Sequence, residues 1–302
     1  MKILILGQSD DLHAAHIYEA LSQCGATVNY LDTRLFPTQI KMLWQPDIEV
    51  GYLTLPGDIC LNLQEIKSVF WRSLGEVYVP DLQDPYQQKL AWVDTMSLLR
   101  SLIQLCPARW INSWQSYQFH KEKPRQLTLA KQLGIPIPLT LIGNDSQKIS
   151  ELARTRKKFI FKPVYGGAIT ELVTPAHLER ERLDQVLRIS PVTIQEYIPG
   201  TNIRTYVIGD AVYSAEIRSP FLDFREDTEA QIIPLETPLS VAQQSKAIAR
   251  GFMMEWTAID WRLKPTGEYI FLEANPSPMF IHFENQTGYP ITQKIIHLLT
   301  QF

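Results

Sequence analysis

A chain of 302 residues, 45% of them apolar, has material for two or three packed units around real cores. Its formal net charge of −3 argues against a nucleic-acid surface, and no run of 18 apolar residues is present to form a membrane span. Three cysteines, Cys24, Cys60 and Cys106, have no short metal spacing and leave one over, so the expectation is reduced, buried thiols in a cytoplasmic protein.

Residues 2–6, KILIL, read as a buried strand, followed by a turn whose Ser9 or Asp10 caps a helix over 12–24 that Gly25 ends. Residues 26–31 form the next strand, and this βαβ opening predicts a parallel sheet. The turn Gly7-Gln8-Ser9-Asp10-Asp11 lacks GxGxxG spacing, which argues against a dinucleotide site. His13 and His16 read as a helix-surface pair. Strands over 60–63 and 68–72, a helix from about 86 to 105 and a strand over 110–112 complete a first unit, 1–112. Arg72 has two readings. It is a surface cation, or it faces the cleft toward the next unit, because it ends an apolar strand where α/β sheets place ligands.

A second unit, 113–198, has a helix over 120–133 stopped by Gly134, a strand over 139–142, and a helix capped by Asn144-Asp145-Ser146 that runs to about 156. A strand over 158–162, a glycine loop over 164–168 and a strand over 193–198 follow. The third unit, 199–302, opens with a hairpin, 205–208 and 211–218, around Gly209-Asp210. A helix over 240–251 packs behind a second hairpin, and a helix over 291–299 closes the chain.

That second hairpin, TAIDWRLKPTGEYIFLEAN, carries the strongest chemical signal. Pairing Leu263 with Glu268 sets Asp260 opposite Phe271 and puts Glu273 on the face of Asp260, with Asn275 two residues further along. Two carboxylates and an amide oxygen between apolar neighbours need a cation, and all-oxygen ligands suit Mg²⁺ bound to phosphates.

Other elements fit a nucleotide, each with a plainer alternative. Lys162 ends an apolar strand before Gly166-Gly167, where a backbone can approach phosphate, although no GxxxxGK[ST] is present and the pair also reads as a simple turn. Lys123 sits at a helix start and equally fits a solvated face. The strand end Gln195-Glu196-Tyr197-Ile198 has the backbone groups to present the Glu196 carbonyl and the Ile198 N–H to an adenine edge. Arg204, Arg218 and Arg225 lie between that strand and the acidic hairpin, and guanidinium forks match phosphate oxygens.

In this order the pieces HKEKPRQLTLAKQLGIPIPLT, FIFKPVYGG, IQEYIPGTNIRTYVIGD, EIRSPFLDFRED and TAIDWRLKPTGEYIFLEANPSP resemble the ATP-grasp superfamily, in the branch of ribosomal protein S6 glutamate ligase and glutathione synthetase. LDTRLFPTQ, VFWRSLGE and YPITQKIIHLL resemble the peptide-modifying members that make graspetides, the microviridin-type macrocycles. The resemblance implies an α/β (α+β) ATP-grasp fold: an N-terminal parallel-sheet domain and two α+β subdomains clamping ATP. It implies that Lys123 and Lys162 contact the α- and β-phosphates, and that Gly166-Gly167 lies in a loop closing over the triphosphate. Gln195, Glu196, Tyr197 and Ile198 would line the adenine between Ile160 and Leu272. Asn202 stands where the family has an acid on the ribose. Arg204 and Arg218 would hold the γ-phosphate or an acyl phosphate, and Asp223 and Arg225 would lie near the acceptor, with Arg72 toward substrate. Asp260, Glu273 and Asn275 would bind Mg²⁺, as two ions in the family, with Mn²⁺ as a substitute.

The implied reaction joins a carboxylate to an amine or hydroxyl through an acyl phosphate, with a peptide or small-molecule carboxylate and its acceptor as partners; a homodimer is a further expected assembly. Three readings stand: graspetide-like ligation within a peptide, addition of an amino acid or amine to a small acid or peptide end, and an ATP-binding regulator without catalysis. Relatives often carry a longer peptide-docking hairpin after the phosphate lysine, whereas about thirty residues separate Lys162 from Gln195 here.

Overall fold

The computed structural model, which describes residues 1–155, 157–165, 170–224, 227 and 229–301, builds its first sheet on the apolar run Lys2–Leu6 (β1). Helix α1 (Leu12–Gln23) leads to β2 (Thr27–Leu31). An antiparallel sheet of β3 (Lys41–Gln45), β4 (Val50–Leu55) and β5 (Ile59–Asn62) is then inserted, where the sequence predicts only the strand that is β5. β6 (Ile66–Trp71), α2 (Pro85–Leu105) and β7 (Arg109–Ile111) complete a parallel sheet in the order β2-β1-β6-β7.

Three expectations are corrected in this region. Asp11, not Ser9 or Asp10, caps α1: its Oδ1 accepts the N–H groups of His13 and Ala14 at 2.9 Å, the geometry open to a residue directly before the first turn. Of the free cysteines only Cys106 is buried; Cys24 ends α1 and Cys60 faces outward on β5, so both are exposed. His13 and His16 are not a surface pair. Both rings pack on Phe280, at 5.0 and 6.0 Å between centroids, and His16 Nε2 is 2.8 Å from Thr292 Oγ1.

Burial, seconded by the nearby Arg72 charge, pushes His13 down to about 4 from an ordinary 6.5. A histidine depressed in the fold supports stability fully above pH 6.5 and loses that support as pH falls toward 4. The ring is only part-buried, so the effect is on the order of 1–2 kcal/mol between pH 7.5 and pH 5. Urea unfolding at the two pH values should show a smaller acid loss in His13→Gln than in the wild type; equal losses would exclude this histidine as the source.

The second unit places α3 (Trp114–Lys121) and α4 (Lys123–Gln132) where one helix was expected. Pro124 explains the break: without an N–H it cannot continue a helix, yet it fits the first turn of a new one. β8 (Thr140–Gly143), α5 (Ser146–Ala153), β9 (Phe159–Pro163), β10 (Glu171–Leu172), α6 (Arg180–Ile189) and β11 (Val192–Glu196) follow. The strands form an antiparallel sheet, β10-β9-β11-β8, over a small core of Ile149, Phe159, Leu183, Leu187 and Ile194.

The third unit contains β12 (Thr201–Ile208), β13 (Ala211–Arg218), β14 (Gln231–Leu235), α7 (Leu239–Gly251), β15 (Trp256–Leu263), β16 (Tyr269–Asn275), α8 (Ile281–Thr287) and α9 (Ile291–Thr300). Its antiparallel sheet runs β14-β13-β12-β15-β16. One face, with Ile203, Val207 and Trp261, packs on Leu127 of α4 and on Ile248 and Phe252. The other, with Tyr206 and Trp256, shares a core with Ile3 and Ile5 of β1, Ile17 of α1 and Ile295 of α9. This sheet is therefore held between the N-terminal sheet and the helix that begins at Lys123. No helix among the described residues is long and apolar enough to cross a membrane.

Candidate active site

The antiparallel sheets of the second and third units leave a cleft between them. Its walls are apolar, with Ile160 on β9, Leu272 on β16, and Leu127 and Ile142 nearby, and its floor is charged. Gln195, Glu196, Tyr197, Ile198, Asn202 and Asp223 also line it.

The acidic hairpin pairs differently from the expected register. Leu263 pairs with Tyr269, and β16 has one extra residue, Leu272, so Asp260 lies directly opposite Glu273 rather than Phe271. Such a bulge re-aims side chains: Leu272 and Glu273 both reach the cleft. Simple alternation would have sent one of them to the core. Asn275 follows two residues on, its Oδ1 accepting the Ser277 N–H at 2.9 Å.

Each carboxylate has a cation. Arg204, the cross-strand neighbour of Asp260, grips it with Nε and Nη2 at 2.8 and 2.9 Å. Burial opposes the Arg204 charge, but the Asp260 carboxylate and its hydrogen bonds hold the guanidinium protonated well beyond the usual range. Lys123, the first residue of α4, meets Glu273 Oε2 at 2.8 Å. Burial alone would raise the Glu273 carboxyl; Lys123, through charge and hydrogen bond, and Lys162 bring it down to about 2. Burial and the Lys123 charge likewise lower His120 to about 4.

Lys162 on β9 donates to Gln195 Oε1 at 2.9 Å, and Gln195 Nε2 donates to Thr140 Oγ1 at 2.9 Å. The Glu196 carboxylate turns to Lys157 at 2.8 Å, and its backbone N–H donates to the Leu139 carbonyl at 2.8 Å. Arg218 is not brought to this group. It lies on the face of β13 opposite the residue paired with Arg204, is exposed, and bonds Glu216 at 2.8 and 3.1 Å. Gly166, Gly167 and Arg225 lie outside the described residues. Arg72 is no surface cation: it donates to Asp11 Oδ1 at 3.0 Å and to the Ser277 carbonyl at 2.9 Å, in the joint between the first and third units.

Among the lining residues that the sequence does not single out, Arg262 and Phe224 touch residues already named. Arg262 donates to the Ile198 carbonyl at 3.0 Å and to Asn202 Oδ1 at 2.6 Å; it stands two residues from Asp260 on the same face, the signal that could have found it. Phe224 lies under the Arg204 guanidinium at 5.1 Å, a cation–π contact that no spacing rule reveals.

Among the described residues no cluster of three or more Asp, Glu, His or Cys could cage a metal. The donor set still fits Mg²⁺, which takes one or two carboxylates, keeps waters, and completes its shell with phosphate oxygens. Asp260 and Glu273 would supply the carboxylates, and the phosphates would take over the cations that now neutralise them.

No protein-family model and no curated protein matches the sequence. Solved structures do. The macrocyclase MdnC from Microcystis aeruginosa MRC, bound with precursor peptide MdnA, is 26% identical over the whole of both chains with a TM-score of 0.87. The ATP-grasp ligase PsnB, complexed with minimal precursor, Mg and ADP, is 28% identical over 98% of this chain and 96% of its own, with a TM-score of 0.84. A RiPP-associated ATP-grasp ligase from Chryseobacterium gregarium, in complex with ADP and a leader and core peptide, shares the fold at 23% identity and a TM-score of 0.86, over 99% of this chain and 96% of that one. With this fold from end to end, and with lysines, arginine and facing carboxylates gathered in one cleft, the chain is an ATP-grasp ligase.

Proposed function

We propose that the ligase uses ATP and Mg²⁺ to join a side-chain carboxylate of a peptide to an amine or hydroxyl of the same peptide, giving a macrocyclic amide or ester. The observation that carries this reading is the full-length likeness to MdnC and PsnB, each solved with a precursor peptide.

The peptide carboxylate attacks the γ-phosphorus, breaking its bond to the β-γ bridging oxygen and releasing ADP. The acceptor then attacks the acyl carbon, phosphate leaves, and the acceptor proton goes to solvent. Such sites act by positioning and charge neutralisation, and no nucleophilic side chain is needed. Lys123 and Lys162 hold the α- and β-phosphates. The backbone from Glu196 to Ile198 reads the adenine between Ile160 and Leu272, and Asn202 with Arg262 faces the ribose. Arg204 takes the transferring phosphoryl group; Arg218, on the far face of its strand, does not share that task. Asp223 orients the acceptor, and Arg72 fixes the turn after Asn275. Mg²⁺ held by Asp260, Glu273 and Asn275, as one ion or two, with Mn²⁺ as a substitute, would neutralise charge on the phosphate oxygens.

Mass spectrometry tests the reading. A co-encoded peptide rich in Thr, Ser, Lys, Asp and Glu should lose one water per bond formed when incubated with enzyme, ATP and Mg²⁺. Unmodified peptide, with ATP consumed only in the presence of small acids, would replace it with small-acid ligation. Lys162→Ala should also weaken ATP binding about 10- to 100-fold by calorimetry, the size of a lost charge-assisted bond. Unaltered affinity would remove the lysine from the phosphate site.

A further inference from the structure

β16 is the edge of its sheet, so the backbone groups of Ala274 that point away from β15 have no strand to bond. A side chain takes the place of that strand. Gln126 Nε2 donates to the Ala274 carbonyl at 3.1 Å, and the Ala274 N–H donates to Gln126 Oε1 at 3.1 Å. Gln126 is 1% exposed and Ala274 fully buried. The ring of His120 adds a third contact, Nδ1 to the same carbonyl at 3.0 Å.

Ala274 is the residue between Glu273 and Asn275. Gln126 lies one helical turn from Lys123 on α4, so one amide ties the lysine-bearing helix to the carboxylate-bearing strand. A buried amide that satisfies a donor and an acceptor together has little freedom to shift, whereas an apolar contact of the same size would let the strand slide.

We infer that Gln126 is a positioning residue that fixes the separation of Lys123 from Glu273 and Asn275, and so sets how tightly the metal-nucleotide pair is held. The inference rests on the ATP- and Mg²⁺-dependent reading above. Gln126 touches neither substrate nor metal; it acts through the backbone of Ala274.

The test is calorimetric titration of the full chain with ADP over a range of Mg²⁺ concentrations, with no turnover involved. Gln126→Met keeps the volume and removes both hydrogen bonds. It should raise the Mg²⁺ concentration for half-maximal ADP binding at least tenfold at a temperature where circular dichroism shows it folded. Leu99→Ala, in the N-terminal core, is the control for lost stability alone and should leave that concentration within twofold. If Gln126→Met does not fold, Gln126→Asn decides: it keeps the amide but is one methylene short, and a shift of threefold or more is expected. A wild type whose ADP binding ignores Mg²⁺ would overturn the functional reading and this inference with it. Mg²⁺ dependence in the wild type with no shift in the folded variants would overturn the inference alone.

Discussion

Glu273→Gln should lower ADP formation by at least about 10²–10³-fold while leaving the fold in place. Glutamine keeps the shape and one hydrogen-bonding oxygen, so Lys123 keeps a neighbour. What disappears is the negative charge that a Mg²⁺ ion requires beside Asp260. The stability change should be modest, on the order of 1–2 kcal/mol: the Lys123 side chain is 16% exposed and that of Glu273 39%, so solvent screens part of the pair's attraction but not all of it. The pH dependence has a fixed sign. Glu273 is held at about 2, below its ordinary 4.5, so its support for the fold is complete above pH 4.5 and drains away as pH falls toward 2. The variant should show a flatter stability profile in that window together with the lowered turnover. Phosphate-release assays and acid unfolding measure the two parts separately, and undiminished turnover would remove Glu273 from the metal site.

The charged residues at the centre of the cleft were readable because their chemistry is scarce. Two acids on an apolar hairpin, a lysine ending an apolar strand and an arginine on the adjoining hairpin have few other uses together, and the strand alternation that aligns them is local. The register was not readable. The turn closes one residue later than expected, with Leu263 against Tyr269, and the bulge at Leu272 depends on how β16 meets β15 and α4, a tertiary matter. The split between α3 and α4 was legible in Pro124 but was masked by the strong helix formers around it, Lys121, Glu122 and Lys123 before and Arg125, Gln126 and Leu127 after. β3 and β4 were missed because they are short and apolar on both faces: Met42, Trp44, Leu53 and Leu55 turn to the core of the first unit while Leu43 and Tyr52 stay exposed, which blurs the period-two pattern. Arg218 shows the limit of proximity in sequence: it shares a hairpin with Arg204, but an odd offset in the pairing sends it to the other face.

Arg204 is the residue whose removal should do the most damage, and two substitutions separate its tasks. Arg204→Ala leaves the Asp260 carboxylate, 15% exposed, without its two-point partner, which should cost about 3 kcal/mol of stability. It also takes away the cation stacked on Phe224. Asp260→Asn added to that variant should restore part of the stability, because the isolated charge is gone. Urea unfolding of the two singles and the double closes the cycle, and a double variant as unstable as the sum of the singles would show that the pair is not coupled. Arg204→Lys asks a different question. The ammonium keeps the charge and one contact to Asp260, so the fold should lose only about 1 kcal/mol. It cannot present a planar fork, and the phosphoryl group in transfer spreads charge over several oxygens at once. Turnover should therefore fall by about 10²-fold or more with nucleotide affinity changed far less, the signature of a contact made in the transition state rather than in the bound complex. If Arg204→Lys instead weakens ATP binding and leaves the turnover number alone, the guanidinium serves the resting triphosphate, and the neutralisation of the transferring group must come from elsewhere in the cleft.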